Sequence, residues 1–131
     1  AGAAAAGERP RVVLAYSGGL DTSCILKYLQ DEGYDVLAYC GNVGQEEDFA
    51  AVEAKARRLG ALDVCIDDLR DDFVRNYVIP FVQWSAQYEN RYLLGTAIAR
   101  PCITAGLVRY ARANRCTHIA HGATGKGNDQ V

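Results

Sequence analysis

Strand-like and helix-like segments alternate along the chain from residue 11 onward, separated by turns. This alternation limits the possible folds more than any other feature. Val12, Val13, Leu14, Ala15 and Tyr16 form a short unbroken apolar run, the pattern of a strand buried on both faces. A polar, Gly-bearing turn follows at 17–22. Cys24, Ile25, Leu26, Tyr28 and Leu29 then recur at helical spacing, and Gly33 closes that helix. The unit repeats as a strand over 35–40, a loop over 41–45 and an amphipathic helix over 46–59. That helix has acids first and Lys55, Arg57 and Arg58 last, as its dipole favours. Gly60 ends it, and 62–66 reads as a third strand. Helical periodicity next covers 68–87, where Pro80 predicts a kink or break after Ile79. A loop over 88–95 leads to a helix over 97–114, which tolerates Pro101 only near its first turn. A short strand over 117–120 then precedes a second Gly-rich turn at His121.

Strands that alternate with helices predict a doubly wound parallel α/β sheet with helices on both faces, joined by right-handed crossovers. Ligands of such sheets bind at the carboxyl ends of the strands. The loops at 17–22, 41–45 and 121–129 all follow strands, so they are expected on one rim. Residues 1–10 read as a flexible tail and 11–131 as one domain. The loop after Ala120 lacks the helix it should feed, so the domain is read as C-terminally incomplete.

The 131 residues are 50% apolar and 23% charged, which excludes a disordered or collagen-like chain. Net charge is −2, with 14 basic and 16 acidic residues and no basic stripe, so nucleic acid is not an expected partner. No stretch is long and uncharged enough to span a membrane, and the Ala-rich start lacks the features of a signal peptide. The 5 cysteines show no CxxC spacing and there are only 2 histidines, so no metal site is expected. Reduced thiols fit a cytoplasmic setting.

The turn Ser17-Gly18-Gly19-Leu20-Asp21-Thr22-Ser23 carries the chemistry. Adjacent glycines let successive N–H groups converge on one anion, and the following helix adds its positive end. Close backbone approach is expected at Gly19, with a positive φ in the cradle. Ser17, Thr22 and Ser23 supply hydroxyls. The turn contains no lysine, and its spacing matches neither the Walker A loop nor GxGxxG. The alternative is a plain strand-to-helix turn capped by Asp21 or Thr22.

SGGLDTS after a strand resembles the pyrophosphate loop of the ATP pyrophosphatases. Within that superfamily, three strings resemble the argininosuccinate synthetase family. They are AYSGGLDTS at 15–23, YLLGTAIARP at 92–101 and HGATGKGNDQV at 121–131. The resemblance implies an adenine nucleotide alpha-hydrolase-like nucleotide-binding domain, truncated before a synthetase domain. It implies a ligase that joins citrulline to aspartate with ATP and magnesium, through citrullyl-AMP, and releases AMP and pyrophosphate. A cytoplasmic homotetramer is implied for the full-length protein.

By position, the resemblance implies that Ala15, Tyr16, Ser17, Gly18, Gly19, Leu20, Asp21, Thr22 and Ser23 hold ATP, with Asp21 and Thr22 positioning it. Gly41 and Gly122 would also contact ATP. Tyr92, Ala97 and Asn128 fall at the citrulline positions, Thr124, Asn128 and Asp129 at the aspartate positions, and Thr96 at a substrate-binding position. No metal ligand and no nucleophilic side chain are implied. Ala97 stands where the family usually has Ser, a loss of about 0.5–1.5 kcal/mol for one hydrogen bond. Two other readings compete: another amidating or thiolating ATP pyrophosphatase, and a non-catalytic ATP-binding α/β module.

The remaining notable residues receive structural readings. Phe73, Tyr77, Phe81 and Trp84 read as core or helix-packing surface. Cys24 reads as a packed core thiol and His118 as structural. His121 is a lesser candidate for substrate or phosphate contact, and Arg100 for an anion.

Overall fold

The computed structural model describes residues 7–123. Four parallel strands, β1 (Arg11–Ala15), β2 (Asp35–Asn42), β3 (Asp63–Asp68) and β4 (His118–Ala120), form one sheet in the order β3-β2-β1-β4. Helices α1 (Leu20–Asp31) and α2 (Phe49–Arg58) cover one face. There Leu26, Val52 and Ala56 pack on Val12, Leu14, Val36 and Ala38. The alternate strand residues Val13, Leu37 and Tyr39 meet Leu107 and Ala111 of α5 (Gly95–Ala113) on the other face. Both strand faces are therefore buried, which is why β1 and β2 read as continuous apolar runs.

The chain steps from β1 to β2 to β3 in one direction. It then crosses the opposite face and returns to the far side of β1 as β4. The direction of winding reverses between β1 and β4, and a crevice opens there at the strand C-termini.

The helix ends follow from local chemistry. Gly33 (φ +96°) and Gly60 (φ +90°) take the left-handed position after α1 and α2. In each case the next residue donates back into the helix, Tyr34 to Leu29 and Ala61 to Ala56. Arg115 (φ +56°) does the same after α5, with Cys116 donating to Ala111.

Several expected boundaries move. α2 starts at Phe49, not 46, because Asp48 caps it by accepting from the Ala51 N–H at 3.0 Å. The expected helix over 68–87 is three pieces: α3 (Arg70–Phe73), a π-helical turn (Val74–Val78) and α4 (Ile79–Gln83). The break comes upstream of Pro80, whose ring nitrogen cannot donate to the turn before it. Pro101 lies inside α5 and not near its first turn. The exposed backbone around Ala97 leaves the freed carbonyl within reach of solvent. Residues 9 and 10, expected within a flexible tail, are held in place. Arg9 donates to the carbonyls of Gly33 (3.1 Å) and Gln30 (2.8 Å), and the Pro10 carbonyl accepts from Asp35 at 2.9 Å.

Candidate functional site

Tyr16, buried just past β1, donates its N–H to the Tyr39 carbonyl at 2.8 Å. The chain then leaves the sheet at Ser17 and enters α1 at Leu20. Gly18 has φ +78°, and a Cβ on it would lie 2.9 Å from Val52 Cγ2 of α2. Gly19 has φ −70° and ψ 176°, an ordinary extended conformation. The positive φ expected in the cradle is thus found at Gly18, where α2 crowds the turn.

Gly19 is the N-cap of α1 and no side chain caps the helix, so neither Asp21 nor Thr22 plays that part. The N–H groups of Leu20, Asp21 and Thr22 open the helix without intrahelical acceptors, and no other described group accepts from them. They converge with the helix dipole at the loop mouth, an arrangement suited to an anion.

A hydroxyl network sets the loop's shape. Thr22 Oγ1 accepts from the Ser17 N–H at 3.3 Å and lies 3.1 Å from Ser17 Oγ, which accepts from the Gly19 N–H at 3.3 Å. Ser23 Oγ donates to the Gly19 carbonyl at 2.6 Å and lies 3.1 Å from the Tyr16 hydroxyl. Thr22 and Ser23 are buried, while Ser17, Leu20 and Asp21 are exposed. Ser23 is thus turned inward as a brace, and Ser17 remains at the surface with the helix-end amides.

The fold also brings a lysine to a loop that has none of its own. Lys55 of α2 donates from Nζ to the Gly18 carbonyl at 2.8 Å. It lies three residues beyond Val52 on the same helix face, and its side chain leans toward the α2 N-terminus, as helical side chains do. Sequence reasoning placed Lys55 only as a dipole partner. The one available signal was its spacing from the buried Val52 and Ala56.

Across the β1–β4 crevice, Gly122 approaches α1. A Cβ there would lie 3.2 Å from Ile25 Cδ1 and 3.3 Å from Thr22 Cγ2. His121 Nδ1 accepts from the Ala123 N–H at 3.2 Å. The structure therefore brings 17–23 and 121–123 together.

Gly41 is not in a loop. β2 continues through it, paired with Asp67, because Asn42 still pairs with Asp68. Its carbonyl accepts from Gln45 Nε2 at 3.0 Å, and a Cβ would crowd Ile103 and Leu69 at 3.1 Å. Thr96 and Ala97 stand exposed in the first turn of α5. Tyr92 is held by a tight turn in which Tyr88 and Tyr92 exchange backbone hydrogen bonds at 3.1 Å. No hydrogen bond of the described residues joins these three to the loop at 17–23. Thr124, Asn128 and Asp129 lie outside the described residues.

Cys24 is exposed on α1, not packed in the core, because its helix position faces away from the sheet. His118 meets the Tyr34 ring edge-on at 5.4 Å, and Phe73 and Tyr77 stack at 6.4 Å, while Trp84 is exposed. An apolar groove of about 440 Å³ lies away from the loop, lined by Phe73, Phe81, Leu93, Leu94 and Ile98.

Burial pushes the Cys40 thiol up to about 11 and raises Cys65, Cys102 and Cys116 as well, so these thiols stay protonated near neutrality. Hydrogen bonds from Arg70 hold Asp68, at the end of β3, down to about 2. Among the described residues no group of three or more His, Cys, Asp or Glu could hold a metal ion. No helix among them is long and apolar enough to cross a membrane.

Comparison with known proteins identifies the family. Residues 11–131 match the family model described as the arginosuccinate synthase N-terminal HUP domain. The chain is 58% identical over 120 residues to argininosuccinate synthase of Danio rerio, covering 92% of this chain and 29% of that protein. It is 55% identical over 123 residues to that of Aedes aegypti, covering 94% and 30%. The chain thus spans about 30% of the length of these relatives. Among solved structures, NAD+ synthetase from Burkholderia pseudomallei superposes with a TM-score of 0.61 at 17% identity, over 86% of this chain and 53% of that one. A predicted subunit of tRNA methyltransferase from Methanocaldococcus jannaschii gives 0.56 at 18% identity, over 93% and 57%. These last two speak to the fold alone. With its parallel sheet, its uncapped Gly-Gly turn at the β1–β4 crevice and this match along residues 11–131, the chain belongs to the argininosuccinate synthase family.

Proposed function

We propose that the full-length protein is an ATP-dependent ligase that condenses citrulline with aspartate and releases AMP and pyrophosphate. The observation that carries this reading is the open, uncapped start of α1 behind Gly18-Gly19, facing Gly122 across the crevice, in a chain of this family.

The citrulline ureido oxygen attacks the α-phosphorus of ATP. The α–β bond breaks and pyrophosphate leaves into the cradle at 17–23. The aspartate amine then displaces AMP from the resulting citrullyl-AMP. Developing negative charge on the leaving group meets the amides of Leu20, Asp21 and Thr22 and the positive end of α1, all oriented in advance. Positioning and charge stabilisation then carry the chemistry, so no side-chain nucleophile is required. Asp21 sits exposed at this mouth and Thr22 shapes it.

Magnesium would enter with ATP, where it would neutralise phosphate charge. Citrulline is assigned to Tyr92, Ala97 and Asn128, aspartate to Thr124, Asn128 and Asp129, and Thr96 to the substrate pocket. A cytoplasmic homotetramer completes the proposal.

Citrulline carrying heavy oxygen in its ureido group tests the reading. The label is expected in AMP, with pyrophosphate as the other product. Unlabelled AMP, or ADP with phosphate, would overturn it.

A further inference from the structure

We propose that Lys55 is a positioning residue for the pyrophosphate cradle, orienting the Gly18–Gly19 peptide so that its N–H serves the bound anion. This rests on reading 17–23 as that cradle. A trans peptide points its carbonyl and its N–H in opposite directions. Lys55 Nζ draws the Gly18 carbonyl toward α2 at 2.8 Å. The Gly19 N–H is thereby directed to the other side, where Ser17 Oγ accepts it at 3.3 Å beside the exposed start of α1. Gly18, at φ +78°, has the conformational freedom to let this peptide rotate, so an outside contact must fix it. A rotated peptide would aim a carbonyl oxygen at the phosphates and remove a donor.

Two more observations mark Lys55 as more than a surface cation. Val52, one turn earlier, packs directly against Gly18, so α2 braces the turn through both residues. In addition, no carboxylate among the described residues pairs with the Lys55 ammonium. Its charge therefore reaches the loop without a local counter-ion, on the side of the loop away from the anion. A loop that lacks lysine in sequence acquires one from the neighbouring helix, acting through the backbone.

The test compares wild type, Lys55→Met, Lys55→Gln and Lys55→Arg in the full-length protein, titrated separately with inorganic pyrophosphate and with AMP. AMP carries only the α-phosphate and does not fill the cradle. Lys55→Met and Lys55→Gln are expected to weaken pyrophosphate binding about tenfold or more while leaving AMP affinity and thermal midpoint unchanged. Lys55→Arg should restore most of the loss, because a guanidinium can donate to the same carbonyl. Unchanged pyrophosphate binding in Lys55→Met and Lys55→Gln would overturn the proposal. So would equal losses for pyrophosphate and AMP with a lowered thermal midpoint, which mark a merely structural brace. Failure of wild type itself to bind pyrophosphate would instead remove the cradle reading, and this proposal with it.

Discussion

Gly18 and Gly19 are neighbours in sequence but face different constraints. Only Gly18 has a positive φ, and only there would a Cβ press on Val52, at 2.9 Å. A Cβ at Gly19 would meet Ser17 Oγ at 3.3 Å, and that hydroxyl can rotate away. Gly18→Ala is therefore expected to cost about 1–2 kcal/mol, about tenfold in ATP affinity when it falls on the bound loop. Gly19→Ala should be milder. ATP titrations of the two variants check the order, and equal losses would show that close approach of the ligand, not backbone strain, limits both sites. On the other face, Tyr39 donates to Asp67 at 2.7 Å and Tyr110 to Asp63 at 2.6 Å. Burial first, and then these carboxylates, raises both phenols above their ordinary value. A raised folded-state value means this stabilisation is complete below about pH 10 and fades as pH climbs past it. Thermal midpoints measured between about pH 9 and about pH 11 should fall less steeply for Tyr110→Phe than for wild type. Identical slopes would show that Tyr110 ionises alike in both states.

At the level of elements, α5 shows how packing overrides propensity. Gly106 sits inside this helix, where Ala would ordinarily gain about 1 kcal/mol. Here a Cβ would overlap the Tyr39 hydroxyl and lie 3.1 Å from Asp67 Oδ2. The glycine lets the helix approach β2 closely enough for the Tyr39–Asp67 bond to form beneath it. Gly106→Ala is expected to destabilise by about 1–3 kcal/mol, reversing the propensity order. A denaturant midpoint at or above wild type would refute this. The same tension separates legible elements from illegible ones. α1 and α2 were readable because apolar spacing and a closing glycine agreed at Gly33 and Gly60. The segment from Arg70 to Gln83 was not, because Pro80 announces a break without saying that a π turn upstream will absorb it. Arg115 gave no signal at all, since a left-handed arginine looks like any other basic residue at a helix end.

For the molecule as a whole, the order β3-β2-β1-β4 decides where chemistry is possible. It places the turn after β1 beside the turn after β4, and Gly122 is the contact between them. Gly122→Val should push Thr22 and Ile25 away, cost about 1–3 kcal/mol through overpacking, and raise the KM for ATP. Thermal melts and initial rates of the full-length variant measure both effects. An unchanged KM would place the nucleotide away from this crevice.

The sequence alone determined the layered α/β class and the Gly-Gly turn between β1 and α1. Both depend on local signals: apolar runs, helical spacing, and glycines next to a helix start. It also contained the three strings that match the family, since these are contiguous in the chain. Tertiary structure alone decided which of two glycines is strained, that Gly41 stays in β2, that Cys24 faces solvent, and that Lys55 reaches Gly18. Each of these depends on residues that lie far apart in the chain and meet only after the strands pair. Gly18 and Lys55 are separated by 37 positions, and the parallel pairing of β1 with β2 sets α2 beside the loop. Local pattern records which backbone shapes a segment favours, and the contacts that constrain those shapes arise only from packing.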